Sequence, residues 1–304
     1  MKKVDKKKAS AWIQYGIIAA AAISLGVAGG IIIKKKFGGE EITYSGFDPK
    51  TFKADSKALV KEYEKNPNKD FTAPELVNIG LEKYRSCENC YSIQVGLAKT
   101  IVEQSIRNAQ IKVGNDYFEE AISKSSMVSL ANRYSQKSDA VTLYKGKAAS
   151  EETGEYDKKD ATNFKKDAFK KDWGKSLDEM FIYIISNKTV NLSKCKTEKK
   201  GSQIKVTLDL DPAISTYYYK IQMKTMSNLS GLPTFEYVKQ TYTFDSKMTL
   251  LHCKTEEKYK AAMAGINAEI VNKINTYYHA NKKIKIPALN EKVNYSLKGE
   301  AKYE

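Results

Sequence analysis

Histidine is almost missing from this 304-residue chain, which has two, and arginine is scarce at three (Arg85, Arg107, Arg133) among 51 basic residues. Two imidazoles do not build a histidine metal centre or proton relay, which needs several converging on one point. His279 has no carboxylate near it in sequence and His252 sits in a strand pattern, so neither suggests a nucleophilic triad. No GxGxxG, GxxxxGK or GxSxG is present, which removes the common signatures of nucleotide binding and of α/β-hydrolase chemistry. With so little arginine and no base-reading module, nucleic acid is not an expected partner. The expectation is a non-enzyme with no catalytic residues, no metal and no cofactor. The hydrophobic content of 41% still allows a sizeable core.

What the chain does have is one long uncharged run, Ala11 to Ile33, enough to cross a bilayer as a helix. Lys2, Lys3, Lys6, Lys7 and Lys8 precede it and Lys34, Lys35 and Lys36 follow, an asymmetry that puts the N-terminus in the cytoplasm. A cleaved signal peptide is the competing reading, but the run is longer than an h-region and lysines follow it directly, so a retained single-pass anchor is expected. Gly26 and Gly30 form a small-residue face that would let two such helices meet as a homodimer, or are ordinary fillers of an Ala-rich span. Eight Lys against one Asp in the first 36 residues hold +7 of the net +15. The remainder is mildly basic, which suits an anionic lipid surface or acidic polymer as a neighbour.

The expected organisation is a basic cytoplasmic tail (1–10), the span (11–33), a stalk (34–72) with a short helix from Asp55 or Ser56 to Lys65, a folded domain (73–280) and a polar tail (281–304). The domain opens with a helix from Ala73-Pro74-Glu75 to near Cys87. The period then changes to two: Tyr91, Ile93, Val95 and Leu97 alternate with Ser92, Gln94, Gly96 and Ala98, a strand with one face buried. Ile106–Val113 and Tyr117–Ser123 follow around Gly114-Asn115-Asp116, then Met127–Gln136 and Ala140–Lys147 around Lys137-Ser138-Asp139. Ala148–Lys171 is charged and small and reads as an exposed loop. Ser176–Ile185 reads as a helix, with Ser176 and Glu179 spaced as a capping box. Strands Thr189–Glu198 and Ile204–Leu210 meet at Lys199-Lys200-Gly201, a helix spans Ala213–Leu229, and strands follow over Thr234–Phe244, Met248–Tyr259 and Ile266–Tyr278. The fold class is therefore α+β: about ten antiparallel strands in a sheet too large to stay flat, curled as a half-barrel with helices on its concave face.

That order of elements resembles the LolA-like superfamily, the half-barrel fold of lipoprotein carriers and related bacterial surface lipoproteins. The residues that carry it are the regular strand Ile204–Leu210, the helix TYYYKIQMKTMSNLSGLPTF, and YVKQTYTFDSKMTLLHCKTEEKYKA, whose texture is similar to surface proteins of low-GC Gram-positive bacteria. The resemblance covers about residues 74–280. It implies a concave apolar cavity for an acyl chain, a lipid or a lipidated partner, with an inward set that includes Ile204, Val206, Leu208, Tyr218, Ile221 and Met226. A retained span in place of a lipidated Cys departs from the family, as does the lack of a partner-binding stretch. The expected function is an extracytoplasmic, plasma-membrane-anchored binding protein. A non-enzymatic scaffold in a membrane assembly is the alternative, and a thiol–disulfide protein the third.

Cys87-Glu-Asn-Cys90 has the spacing of a redox pair or of half a zinc site, but it ends a helix where redox motifs begin one, and Cys195 and Cys253 match no zinc module. Outside a membrane, four cysteines suit two structural disulfides, Cys87 with Cys90 and Cys195 with Cys253, among three formal pairings. Tyr217-Tyr218-Tyr219 on one helix can turn only one or two rings inward, which favours core packing over a stacking platform.

Overall fold

A computed structural model describes residues 48–303 apart from 101, 127, 158–160, 227–228, 264–265 and 298–300. The expected span Ala11–Ile33 and its Gly26 and Gly30 lie outside the described residues. Among those described, no helix is long and apolar enough to cross a membrane.

Two helices come first. Helix α1 (Ser56–Lys65) is started by Asp55, whose Oδ1 accepts from the Ala58 amide at 3.0 Å. Helix α2 (Ala73–Arg85) has Pro74 in its first turn and Glu75 accepting from the Thr72 amide at 2.9 Å. Leu59, Val60 and Tyr63 of α1 pack against the same core as α2, so this part of the expected stalk is docked on the domain.

The chain then builds one antiparallel sheet. Its strands are β1 (Asn89–Lys99), β2 (Glu103–Val113), β3 (Asp116–Lys124), β4 (Ser129–Lys137), β5 (Ala140–Ala148), β6 (Gly154–Tyr156), β7 (Thr162–Lys165), β8 (Lys196–Lys200), β9 (Gln203–Leu210), β10 (Thr234–Asp245), β11 (Leu250–Met263) and β12 (Ile266–Ala280). The spatial order is β6-β5-β4-β3-β2-β1-β12-β11-β10-β9-β8, with β7 also on β5, so the sheet is open and has twelve strands. Gly114, Ser138 and Gly201 take φ of 58°, 52° and 59° at the β2–β3, β4–β5 and β8–β9 hairpins, where the sequence placed turns. Pairings join strands consecutive in the chain except the short one of β7 on β5 and that of β1 with β12, whose register runs from Cys90 opposite Ala280 to Lys99 opposite Val271.

The helix-bearing face and the part of the opposite face over β1–β3 are covered by different parts of the chain. One face carries α2, helix α3 (Lys166–Trp173) and helix α4 (Tyr217–Met226). Its larger core joins Val77, Leu81 and Tyr84 of α2 to Val206, Leu208, Val238, Phe244 and Tyr259 of the strands. A smaller one stacks Phe169 and Trp173 of α3 over Tyr134, Val141 and Leu143. The opposite face of β1–β3 presents Tyr91, Ile93, Ala109, Ile111 and Phe118, and the C-terminal segment lays Ile284, Ile286, Leu289, Val293 and Tyr295 over them before ending in a small hairpin, β13 (Val293–Tyr295) with β14 (Ala301–Tyr303).

Four expectations are corrected. Ala148–Lys171 is no plain loop: it contains β6, β7 and most of α3, because Phe164 and Phe169 have apolar neighbours to cover. Residues Ser176–Ile185 form a non-helical strap in which Glu179 Oε2 accepts from the Ser176 amide at 2.9 Å, a capping contact with no helix after it. Strand β8 begins only at Lys196; before it Val190 makes a single bridge to Leu210 and Leu192–Lys194 a 3-10 turn. Helix α4 starts later than expected, since 211–216 are taken up by turns in which Ser215 and Thr216 hydroxyls bond the carbonyls of Asp211 and Pro212.

Candidate functional site

Alternation fixes which side chains meet under the helices. Because Tyr91, Ile93 and Val95 point to the C-terminal segment, the intervening Ser92 and Gln94 point to the helix-bearing face, where an ordinary core would place hydrocarbon. Register then lines polar groups up across strands. Gln110, Ser92 and Tyr278 form one row, and Asn108, Gln94, Thr276, Cys253 and Tyr242 the next. Ile274, Thr255 and Gln240 follow in a third row.

Above these rows lies a cavity of about 100 Å³. The strap roofs it with Met180, Phe181, Ile182, Tyr183 and Ile185; Leu81 of α2 and Tyr219 of α4 close its sides, and Lys175 stands at one end. Parts of the floor satisfy each other: Tyr242 Oη donates to Gln240 Oε1 at 2.8 Å, and Gln240 Nε2 to Thr255 Oγ1 at 3.4 Å. The arrangement is an amide- and hydroxyl-bearing floor beneath an apolar and aromatic roof.

Two buried carboxylates flank it. Glu119 is 1% exposed, accepts from Asn108 Nδ2 at 2.8 Å and faces Lys175 Nζ at 3.6 Å. Burial raises its pKa, against the pull of Lys175. Glu257, fully buried on β11, accepts from Tyr183 Oη at 2.7 Å, Tyr219 Oη at 3.0 Å and Asn272 Nδ2 at 2.7 Å. Burial raises it as well, and only these neutral donors oppose the shift.

Of the residues expected to face a cavity, Ile204, Val206 and Leu208 lie on the helix-bearing face of β9 and pack into the larger core, Val206 and Leu208 fully buried. They do not reach the cavity wall. Tyr218 and Ile221 are half-buried on α4 and also lie off the wall; Lys53 Nζ stands 4.6 Å from the Tyr218 ring centroid. Met226 ends α4, and its side chain is outside the described residues. In the tyrosine triplet Tyr219 is the ring turned inward. The polar floor was missed because Ser92, Gln94 and Gln110 look like the solvent side of a half-buried strand when only one face is assumed covered.

All four cysteines are unbonded, which corrects the expected disulfides. Strands β9 and β10 stand between β8 and β11, so Cys195, just before β8, and Cys253 are about 14 Å apart at 4.8 Å per strand, twice a disulfide's Cα reach. The Cys87 thiol turns back to the Lys83 carbonyl at 3.3 Å, while Cys90 enters the core. Burial pushes Cys90 up to about 11 and Cys253 up to about 12, the opposite of an activated thiolate. Among the described residues no group of three His, Cys, Asp or Glu could hold a metal.

No known family model matches this sequence, and no curated protein matches it.

Proposed function

We propose that the chain is an extracytoplasmic ligand-binding domain of LolA-like, half-barrel type, carried on its N-terminal membrane anchor, and that its ligand is an amphiphile such as a lipid or acyl-bearing group. The observation that supports this reading is the cavity itself: side chains able to hydrogen-bond line the middle of a sheet, under a strap that contributes Met180, Phe181, Ile182, Tyr183 and Ile185. Such a floor is costly in a core built only for stability. A polar head would meet Gln94, Asn108 and Gln110, and an apolar portion the strap. At about 100 Å³ the cavity is smaller than the roughly 150 Å³ that encloses one benzene, so a chain enters only as the strap lifts.

Native mass spectrometry of the full-length protein released from mild detergent tests this. Mass of lipid size that leaves on organic extraction supports it; a bare chain from several membrane preparations overturns it. The bare result would favour the second reading, a scaffold component, which the packing of 284–295 over the second face of β1–β3 also supports. The thiol–disulfide reading finds no support in thiols whose pKa values burial raises.

A further inference from the structure

We infer that Glu257 is the latch of the strap: its carboxylate ties Tyr183 of the strap and Tyr219 of α4 to the sheet floor, so opening the cavity requires both phenols to leave one buried group. The inference deepens the binding reading above by naming what controls access to the same site.

The argument begins with what holds the strap. Residues 180–184 read Met-Phe-Ile-Tyr-Ile, so Tyr183 supplies the one polar side chain in the stretch that roofs the cavity. Its backbone contacts lie near its ends: the Leu177 amide donates to Gln136 Oε1 at 3.1 Å, the Ile184 amide to the Ser215 carbonyl at 2.9 Å, and the Ile184 and Ile185 carbonyls accept from Thr189 Oγ1 and Asn78 Nδ2, each at 2.8 Å. Among the described residues no strand ladder holds 180–185, and the side-chain hydrogen bond from this stretch to the sheet is the one from Tyr183 to Glu257, at 2.7 Å.

The acceptor is an unusual choice for a structural tie. A carboxylate accepts several donors at once, which lets Glu257 gather one each from the strap, α4 and β12. Among the described residues no Lys or Arg is paired with it. A buried charge held only by neutral donors costs more than a hydrocarbon contact of the same shape, yet its charge-assisted bonds are strong while the donors stay in place. Losing one phenol makes the buried charge harder to keep and favours its protonation, and the remaining phenol then donates to a neutral acid, the weaker of the two bonds. Strap and α4 are thereby coupled through one atom group, and Glu257 acts as a positioning residue for a cavity wall it does not itself form.

Hydrogen exchange read by mass spectrometry on the full-length protein tests this without any ligand, so its outcome is independent of whether extraction finds one. Tyr183→Phe and Tyr219→Phe each remove one hydroxyl. The expected result is exchange in peptides covering 177–186 at least about tenfold faster in both variants, with α4 peptides also faster in Tyr183→Phe, while β2–β4 are unchanged. Glu257→Gln is expected to release both segments together. Strap exchange unchanged in both Phe variants, or a rise confined to the element that carries the substitution, overturns the latch even if Glu257→Gln fails to fold.

Discussion

Arg133 and Glu120 face each other across β4 and β3, Nε to Oε1 at 2.7 Å, with both side chains about 5% exposed or less. The guanidinium has further work on the same face: its Nη1 donates to the carbonyls of Leu289 at 3.0 Å and Glu291 at 2.5 Å, and it lies 4.3 Å over the Tyr156 ring. Tyr156 Oη donates to the same Glu120 oxygen at 2.7 Å. One ion pair thus fastens the C-terminal segment to the sheet. Arg133→Ala strands a buried carboxylate, and the expected cost is about 3–5 kcal/mol. Urea unfolding measures it, and brief trypsin treatment should cleave after Lys282, Lys283 or Lys285 well before it cleaves wild type.

Gly80 of α2 lies against Phe244, and an added Cβ would sit 2.2 Å from a ring carbon. Gly80→Ala is accordingly expected to lose roughly 1–3 kcal/mol from overpacking, although Ala is the better helix former. Thermal denaturation of Gly80→Ala and of the double variant with Phe244→Leu tests the cause, since the smaller partner should restore part of the loss.

The thiols should divide by burial. Cys87 and Cys195 are half-buried, whereas Cys90 and Cys253 are buried with pKa values pushed up to about 11 and about 12. Iodoacetamide at mildly alkaline pH is expected to label Cys87 and Cys195 in the folded protein, and the other two only in denaturant. Peptide mapping reads this directly. A Cys195–Cys253 bridge would be incompatible with the strand order.

Acid should stabilise the core around Glu257. Its pKa is raised in the folded state by burial, opposed by the Tyr183, Asn272 and Tyr219 bonds, so the folded protein holds this proton more tightly than the unfolded chain does. The contribution is complete below the ordinary glutamate range, near 4.3, and is lost as pH rises through the raised value. Urea midpoints across that window should fall with rising pH more steeply in wild type than in Glu257→Gln.

The strands were legible because alternation and turn residues coincide. Gly114, Ser138 and Gly201 stand where hairpins need positive φ, and Ile204–Leu210 alternates without interruption. The strap was not, because Met180–Ile185 is apolar but for the Tyr183 hydroxyl and such a run has no period to read. As an extended segment it roofs floor residues from β1, β2, β10, β11 and β12, more sheet than a helix of the same length would reach. The inward direction of Val206 and Leu208 was readable from β9 alone. The floor needed two facts absent from any single strand: that 284–295 covers the other face, and that β1 pairs with β12.

That last pairing also sets an order of events during synthesis. Strands β1–β5 can zip as successive hairpins while the chain is still growing, but the free edge of β1 waits for β12, opposite it from Cys90–Ala280 to Lys99–Val271. The apolar back of the meander waits longer still, for Ile284 to Tyr295. The half-made protein therefore exposes an unpaired edge and a greasy surface until residues 266–295 have been made, and both are closed by that one stretch of chain. A nascent chain stalled before residue 266 should be the form that aggregates or recruits a chaperone.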